Sequence, residues 1–416
     1  MTDGARTTGP NVAAVDAGQP ASTVETTFVD DGPTVVSEHW AGAHSVSVGV
    51  WVGVGSRDEP DRASGASHFL EHLLFKGTER RSARAIAELV DASGGEMNAA
   101  TGKEFTAFYA RLPADGQDLA VDLLGDVLCD PALRPEDVET ERRVILEELN
   151  LQEDDPGDVA ATLLEEALFP GHALGREVLG TRETVEALDR RSIAAFHDRW
   201  YRAPNLVLAA AGAVDHDRLV ERVAAAFADR GGGEAPVRTP PDRLPTEGRT
   251  LRRPTEAVHV AWGWRSLDRH DPRRRALALG SHVLGGGLSS RLFQAVREDR
   301  GLAYNVFAGP HLYGDAGALT VHAATDPDRA GELRRVVEAE VAEVAAGVQA
   351  MEEREAAAAT AWSHGEDQSV LETVDRENSW TEYLDYLDSL NTSSDVDQIS
   401  IGDLVSYNDT GENWPV

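Results

Sequence analysis

Two histidines four positions apart frame the segment His68-Phe69-Leu70-Glu71-His72. On a helix this spacing puts both imidazoles on one face, one turn apart, where they can share one metal ion. Zinc accepts imidazole nitrogens and carboxylate oxygens, and a catalytic site keeps three protein ligands plus a water. Glu71 stands beside His72 and three residues from His68. It is placed to take a proton from a metal-acidified water as general base, rather than to ligate. The pentad is the inverted form of the His-Glu-x-x-His arrangement. A match arises by chance about 0.04 times in a chain of this composition, so the motif favours a metal without proving one. The competing reading is a helix with two ordinary histidines.

A third ligand is required. Glu141 and Glu148 lie seven residues apart, two helical turns, and so share a face, with Val144 and Ile145 beside the stripe to bury it. Acids on a partly apolar face are costly unless something positive meets them. From the residues alone, a ligand at Glu148 and a merely solvated acidic helix both stay open.

The elements that must position these groups are legible in the pattern. Val46, Val48, Val50 and Val52 alternate as in a strand. Helices are expected at 65–75 and 83–92, the second stopped by Gly94-Gly95. Strands follow at 96–100 and 105–112, then helices at 117–128, 135–151 and 158–168. The helix at 135 opens on Pro135 with acids in its first turn. The apolar run 205–213 reads as a buried strand, and the Gly, Pro and charge cluster at 230–248 as a linker. Beyond it a strand at 258–264 and a helix from Arg274 restart the pattern. Ser67-His68-Phe69-Leu70-Glu71-His72 resembles Ser281-His282-Val283-Leu284-Gly285-Gly286, as in a repeat whose second copy lacks the Glu-His pair.

Composition sets the frame. A chain of 416 residues exceeds one ordinary core and suggests two domains or two copies of one. The net charge of −33 argues against nucleic acid as a partner. Lys76 and Lys103 are the only lysines. Such a surface fits a protein that works in high salt, which screens self-repulsion, or an acidic protein from a high-GC genome. No apolar stretch approaches membrane-spanning length. The first twenty or so residues lack the positive start and apolar core of a secretion signal, which reads as a disordered tail on a cytoplasmic protein. Cys129 is the single cysteine, so no intrachain disulfide forms; it is expected to be a buried thiol.

These residues together resemble the pitrilysin/insulinase metallopeptidases, in their short-chain, mitochondrial-processing-peptidase-like branch. The likeness runs from Gly65-Ala66-Ser67-His68 through Phe75-Lys76-Gly77-Thr78, and takes in Gly94-Gly95-Glu96-Met97-Asn98-Ala99 with Thr101. It continues through Glu141-Arg142 to Glu148, then His172-Ala173-Leu174-Gly175 and Leu179-Gly180-Thr181. In the second half it includes Gly285-Gly286-Gly287-Leu288-Ser289-Ser290-Arg291 and Arg297-Glu298-Asp299-Arg300-Gly301-Leu302-Ala303-Tyr304. The segment 392–416 does not clearly match, and Asp299 stands where a Lys is common.

The resemblance implies one zinc ion per chain, held by His68, His72 and Glu148, with Glu71 as base and Glu141 orienting a ligand from behind. It implies that Asn98 and Ala99 lie on an exposed edge strand to which peptide adds by main-chain hydrogen bonds; on spacing alone Asn98 reads as a strand-end turn residue. It implies that Arg297 and Tyr304 close the site of another half, as donors suited to a developing oxyanion. Without it, Arg297 reads as a surface helix residue and Tyr304 as core. In short-chain relatives the other half is a second polypeptide, so a homodimer, or a heterodimer with a related chain, is expected to enclose a chamber.

The expected fold is α+β: two homologous domains, each a mostly antiparallel sheet flanked by helices. The expected divisions are a tail at 1–22, a zinc-binding domain at 23–229, the linker at 230–248 and a second domain at 249–416 carrying Arg297 and Tyr304. The expected activity is zinc-dependent endopeptidase action on peptides or unfolded segments. The rivals are a non-catalytic partner subunit or scaffold, and a metal-dependent hydrolase of a non-peptide substrate.

Overall fold

The computed structural model describes residues 23–242 and 248–363; the expected tail at 1–22 and the divergent segment at 392–416 lie outside them. The first half contains β1 (Thr23–Phe28), β2 (Thr34–His39), β3 (Ser45–Val52), α1 (Ala66–Leu74), α2 (Ala83–Ser93), β4 (Glu96–Thr101) and β5 (Thr106–Pro113). It continues with α3 (Gln117–Cys129), α4 (Pro135–Asp154), α5 (Pro156–Leu168), α6 (Arg182–Ala187), α7 (Arg190–Trp200), β6 (Leu206–Gly212) and α8 (His216–Ala226). The second half holds β7 (Val258–Ser266), α9 (Arg274–Gly285), β8 (Ala303–Leu312), β9 (Gly317–Thr325) and α10 (Ala330–Ser363).

The first six strands form one sheet in the order β1-β2-β6-β3-β5-β4. Every pairing is antiparallel except β2 with β6. β3 lies inside the sheet, and its four alternating valines are all 0 or 1 % exposed. Their burial, about 1.5–3 kcal/mol each, is what the period-two pattern encodes. α3 packs across β3 and β5, and α8 packs on α3 and β2. β1 and β2 escape the sequence pattern because polar residues interrupt the alternation; Ser37 and Glu38 are buried in β2.

The second sheet, β7-β9-β8, is antiparallel throughout. Its connectivity repeats that of the first. A strand leads to a helix, then a hairpin whose second strand pairs back on the first: β3-β5-β4 in one half, β7-β9-β8 in the other. Ser67 and Ser281 both fall on the helix that follows the first strand of this unit.

The two halves share a joint. Leu168, Phe169 and Leu174 from the first half pack with Tyr313 and Ala318 from the second. Beside them, the buried Arg57 guanidinium donates to Glu104 at 2.7 Å and to Asp315 at 2.7 Å. Arg269 donates to the other Glu104 oxygen at 2.7 Å. Arg238, in the aperiodic segment after residue 230, reaches this cluster: it donates to Asp58 and to the Glu104 carbonyl, each at 2.7 Å. The sequence reads that segment as a linker; Arg238 ties its described part to the joint.

In the first half, His197 is buried on α7 and donates from Nε2 to the Leu128 carbonyl at 2.7 Å. Burial pushes its pKa down to about 4 from an ordinary 6.5, and the nearby Arg230 cation adds to the shift. A histidine lowered in this way supports folding fully above 6.5. That support is lost as pH falls toward 4, because the unfolded chain takes the proton first. The melting temperature is therefore expected to drop between pH 6.5 and 4. His197→Gln, which keeps a donor for Leu128, should flatten part of that drop; an unaltered slope would refute the assignment.

Candidate metal centre

α1 is fixed at its N-terminus. Gly65 precedes it with φ 92°, a left-handed conformation, and a Cβ there would meet the Leu179 carbonyl oxygen at 2.5 Å. Only glycine fits. The first helical N–H groups need acceptors. The buried Glu59 carboxylate supplies them, taking the Gly65 N–H at 2.7 Å and the Ser67 N–H at 2.6 Å. Burial pushes the Glu59 carboxyl up to about 7 even with those bonds opposing it.

Phe69, Leu70, Leu73 and Leu74 are completely buried and pin one face of α1 into the core. The remaining stripe, His68, Glu71 and His72, is half-buried and turns toward α4. On α4, Val138, Glu141, Ile145 and Leu149 form the inward face. Val144, expected beside the acidic stripe as cover, is 43 % exposed; Ile145 alone fills that role.

This packing brings His68, His72 and Glu148 together, with one donor atom of each lying within 4.8 Å of the others. Glu148 Oε2 is 3.7 Å from His68 Nε2 and 3.6 Å from His72 Nε2. Those separations exceed a hydrogen bond, and Glu148 Oε2 is a buried oxygen with no donor. Ligands at about 2.0–2.1 Å around a tetrahedral zinc stand about 3.4 Å apart, so the spacing and chemistry of these donors fit such an ion.

Glu141 lies behind the cluster. It is buried, accepts from His72 Nδ1 at 3.1 Å and pairs with the Lys76 ammonium at 2.8 Å. A proton fixed on Nδ1 leaves the Nε2 lone pair of His72 facing Glu148. Burial alone would raise the Glu141 pKa, but the bonds from His72 and Lys76 outweigh it and the net shift is downward. For His72 burial opposes the charge, yet the bond to Glu141 and the charges of Glu148 and Glu71 raise its pKa. His68 has no such support, and burial, aided by His72, lowers it to about 3. It is the neutral imidazole that a metal needs.

Glu71 is absent from the donor cluster. Burial raises its pKa, against the opposing hydrogen bond from Thr101 and the charge of His72. Its Oε2 accepts a hydrogen bond from the Thr101 hydroxyl at the end of β4. β4 is an edge strand of the sheet. Asn98 is exposed on it, and its Oδ1 accepts the N–H of the half-exposed Ala99 at 2.8 Å.

Arg297 and Tyr304 lie elsewhere in the chain. Arg297 sits on a π-helical turn, Phe293–Glu298, and stacks 4.7 Å from the rings of both Phe293 and Tyr304. Tyr304 is 83 % exposed, so its reading as core, made without the resemblance, is corrected: its position on β8 points outward. Among the described residues no hydrogen bond or ion pair joins either to the donor cluster; Arg297 pairs with Glu298 at 3.6 Å. Cys129 is buried as expected, and burial pushes its thiol up to about 12. Three supporting residues were invisible as such in the sequence: Glu59, Lys76 and Thr101. None of the three carries a local signal; Glu59 lies six residues ahead of the N-cap Gly65, outside any capping box.

Comparison with known proteins places the chain in a family. Residues 34–182 match the family described as Insulinase (Peptidase family M16), and residues 187–359 match Peptidase M16 inactive domain. The chain is 45 % identical over 325 residues to an uncharacterized zinc protease of Mycobacterium leprae, covering 77 % of this chain and 73 % of that one. It is 36 % identical over 309 residues to an uncharacterized zinc protease of Bacillus subtilis, covering 74 % and 75 %. A protease from Helicobacter pylori has a similar structure, with TM-score 0.73 and 22 % identity over 90 % of this chain and 87 % of that one. A peptidase M16 inactive domain from Pseudomonas fluorescens superposes with TM-score 0.70 at 22 % identity, covering 77 % and 78 %. With a histidine pair on the first helix of one matched half, and a second matched half that lacks it, the chain belongs to the insulinase family of metallopeptidases, peptidase family M16.

Proposed function

We propose that this chain is a zinc endopeptidase that cleaves peptides or unfolded segments, with one zinc held by His68, His72 and Glu148. The observation that carries the reading is the convergence of those three donor atoms, with Glu148 Oε2 otherwise unsatisfied. When bound, zinc supplies Lewis acidity, acidifying water and polarising a carbonyl. Glu71 accepts the proton from the attacking water and returns it to the leaving amine. Glu141 holds the His72 ring in one tautomer and orientation. The open edge of β4, with Asn98 and Ala99, offers main-chain groups along which an extended peptide can lie.

Arg297 and Tyr304 are proposed to serve the site of a second chain in a homodimer or a heterodimer with a related chain. Tyr304 is 83 % exposed and its ring carries the Arg297 guanidinium 4.7 Å from its centre, which supports a role outside their own chain. No helix among the described residues is long and apolar enough to cross a membrane. With a net charge of −33, a cytoplasmic setting of high salt is the proposed working condition.

Three outcomes are expected. Glu71→Gln should retain zinc while peptide cleavage, assayed in molar salt, falls on the order of 10²–10⁴-fold; retained cleavage would sink the mechanism. Zinc at a thousand times its Kd should stabilise the metal-free protein by about 4 kcal/mol, and Glu148→Gln should abolish most of that increment in thermal melts. If the site is completed in trans within a homodimer, Glu71→Gln and Arg297→Ala are each inactive alone. Mixed after subunit exchange, they should recover about a quarter of wild-type activity, since half the dimers then hold one intact site. No recovery, with exchange verified by native mass measurement, would count against the homodimer.

A further inference from the structure

We propose that Thr101 is the positioning residue for Glu71, so that the edge strand to which a peptide would add also holds the general base. The inference rests on the peptidase reading above for the role of Glu71. Its own basis is the way β4 ends.

Along β4, Met97, Ala99 and Thr101 face the protein, while Glu96, Asn98 and Ala100 are exposed. Thr101 is the last of the inward row, and its hydroxyl donates to Glu71 Oε2. Among the described residues this is the one hydrogen bond to the Glu71 carboxylate.

The two partners differ in freedom. Thr101 leads into a turn fixed from several directions. The Gly102 N–H donates to Phe105 O at 2.8 Å, the Ser56 N–H to Gly102 O at 3.2 Å and the Arg57 N–H to Lys103 O at 2.8 Å. Gly55 lies so close beneath the turn that a Cβ would stand 2.2 Å from the Gly102 oxygen. Lys103 then pairs with Glu165 at 2.7 Å, and Glu104 enters the joint between the domains through Arg57 and Arg269. The Glu71 carboxylate, by contrast, ends a side chain with three rotatable bonds. Of the pair, the hydroxyl sets the place and the carboxylate follows it.

A base acts only within hydrogen-bond reach of the proton it takes, and a displacement of about 1 Å can cost about 10²-fold. Thr101 makes no hydrogen bond or ion pair with His68, His72 or Glu148. Deleting its hydroxyl therefore frees the base without dismantling the metal donors.

The test compares wild type, Thr101→Val, Thr101→Ser and Glu71→Gln, with zinc content and melting temperature recorded for each. Thr101→Val keeps the β-branched shape that suits a strand. Its kcat is expected to fall 10- to 100-fold, with zinc unchanged and KM held within about twofold. Thr101→Ser, which restores the hydroxyl, should recover most of the loss. In crystals of metal-free Thr101→Val the Glu71 carboxylate should leave its place beside β4. A wild-type kcat in the Val variant, a loss confined to KM, an unmoved carboxylate or no rescue by Ser would each overturn the assignment. A wild-type protein that cleaves no peptide would overturn the peptidase reading together with it. An active wild type and a dead Glu71→Gln, beside a fully active Val variant, would overturn Thr101 alone.

Discussion

The packing of α1 against α4 is the constraint on which the candidate site depends. It withdraws two imidazoles and three carboxylates partly from water, where uncompensated charge is costly. Each group answers that cost differently. Glu141 is balanced by Lys76 and His72, and stays ionised. His68 gives up its charge. Glu148 keeps an oxygen that no protein donor reaches. The arrangement is one cation short of balance, and the shortfall sits where three donor atoms converge. The four fully buried apolar residues on the opposite side of α1 are what make so polar a stripe tolerable.

How far the sequence reveals this depends on the range of each interaction. The His68–His72 pair and the Glu141–Glu148 stripe are set by helical periodicity, which the chain carries locally. Their meeting is tertiary, and residue spacing alone fits Glu148 equally as a ligand and as a solvated acid. Glu59 supports α1 from six and eight residues upstream, and Thr101 reaches Glu71 across thirty. Arg57 meets Asp315 across 258. No periodic signal links such partners. Helix and strand positions follow the pattern well where apolar residues repeat, as in β3. They fail at β1 and β2, where buried Ser37 and Glu38 break the alternation. The expected roles of Arg297, Tyr304, Asn98 and Ala99 rest on family resemblance alone, and Tyr304, which reads as core without it, is exposed.

The division seen by family matching and the joint seen in space do not coincide. The matched regions part between residues 182 and 187, at α6. The first sheet is not complete until β6, at Leu206–Gly212, which pairs with both β2 and β3. The joint lies instead at the cluster of Arg57, Glu104, Arg269 and Asp315, with Arg238 strapped across it. Surface ion pairs fade as salt rises, whereas pairs removed from water are screened far less. In a chain carrying a charge of −33, a buried joint of this kind stays closed under conditions that weaken its exposed pairs.

The scarcity of lysine has a practical side. Lys76 touches Glu141 behind the donor cluster, and Lys103 belongs to the turn that follows Thr101. Their side chains are 39 % and 10 % exposed. Every ε-amine in the polypeptide thus flanks one small region, and only one of the two is open to solvent. An amine-directed fluorophore or isotope tag, with the N-terminal α-amine blocked beforehand, becomes a single-site reporter beside Glu141, which accepts from His72 of the donor cluster, with no engineered cysteine needed.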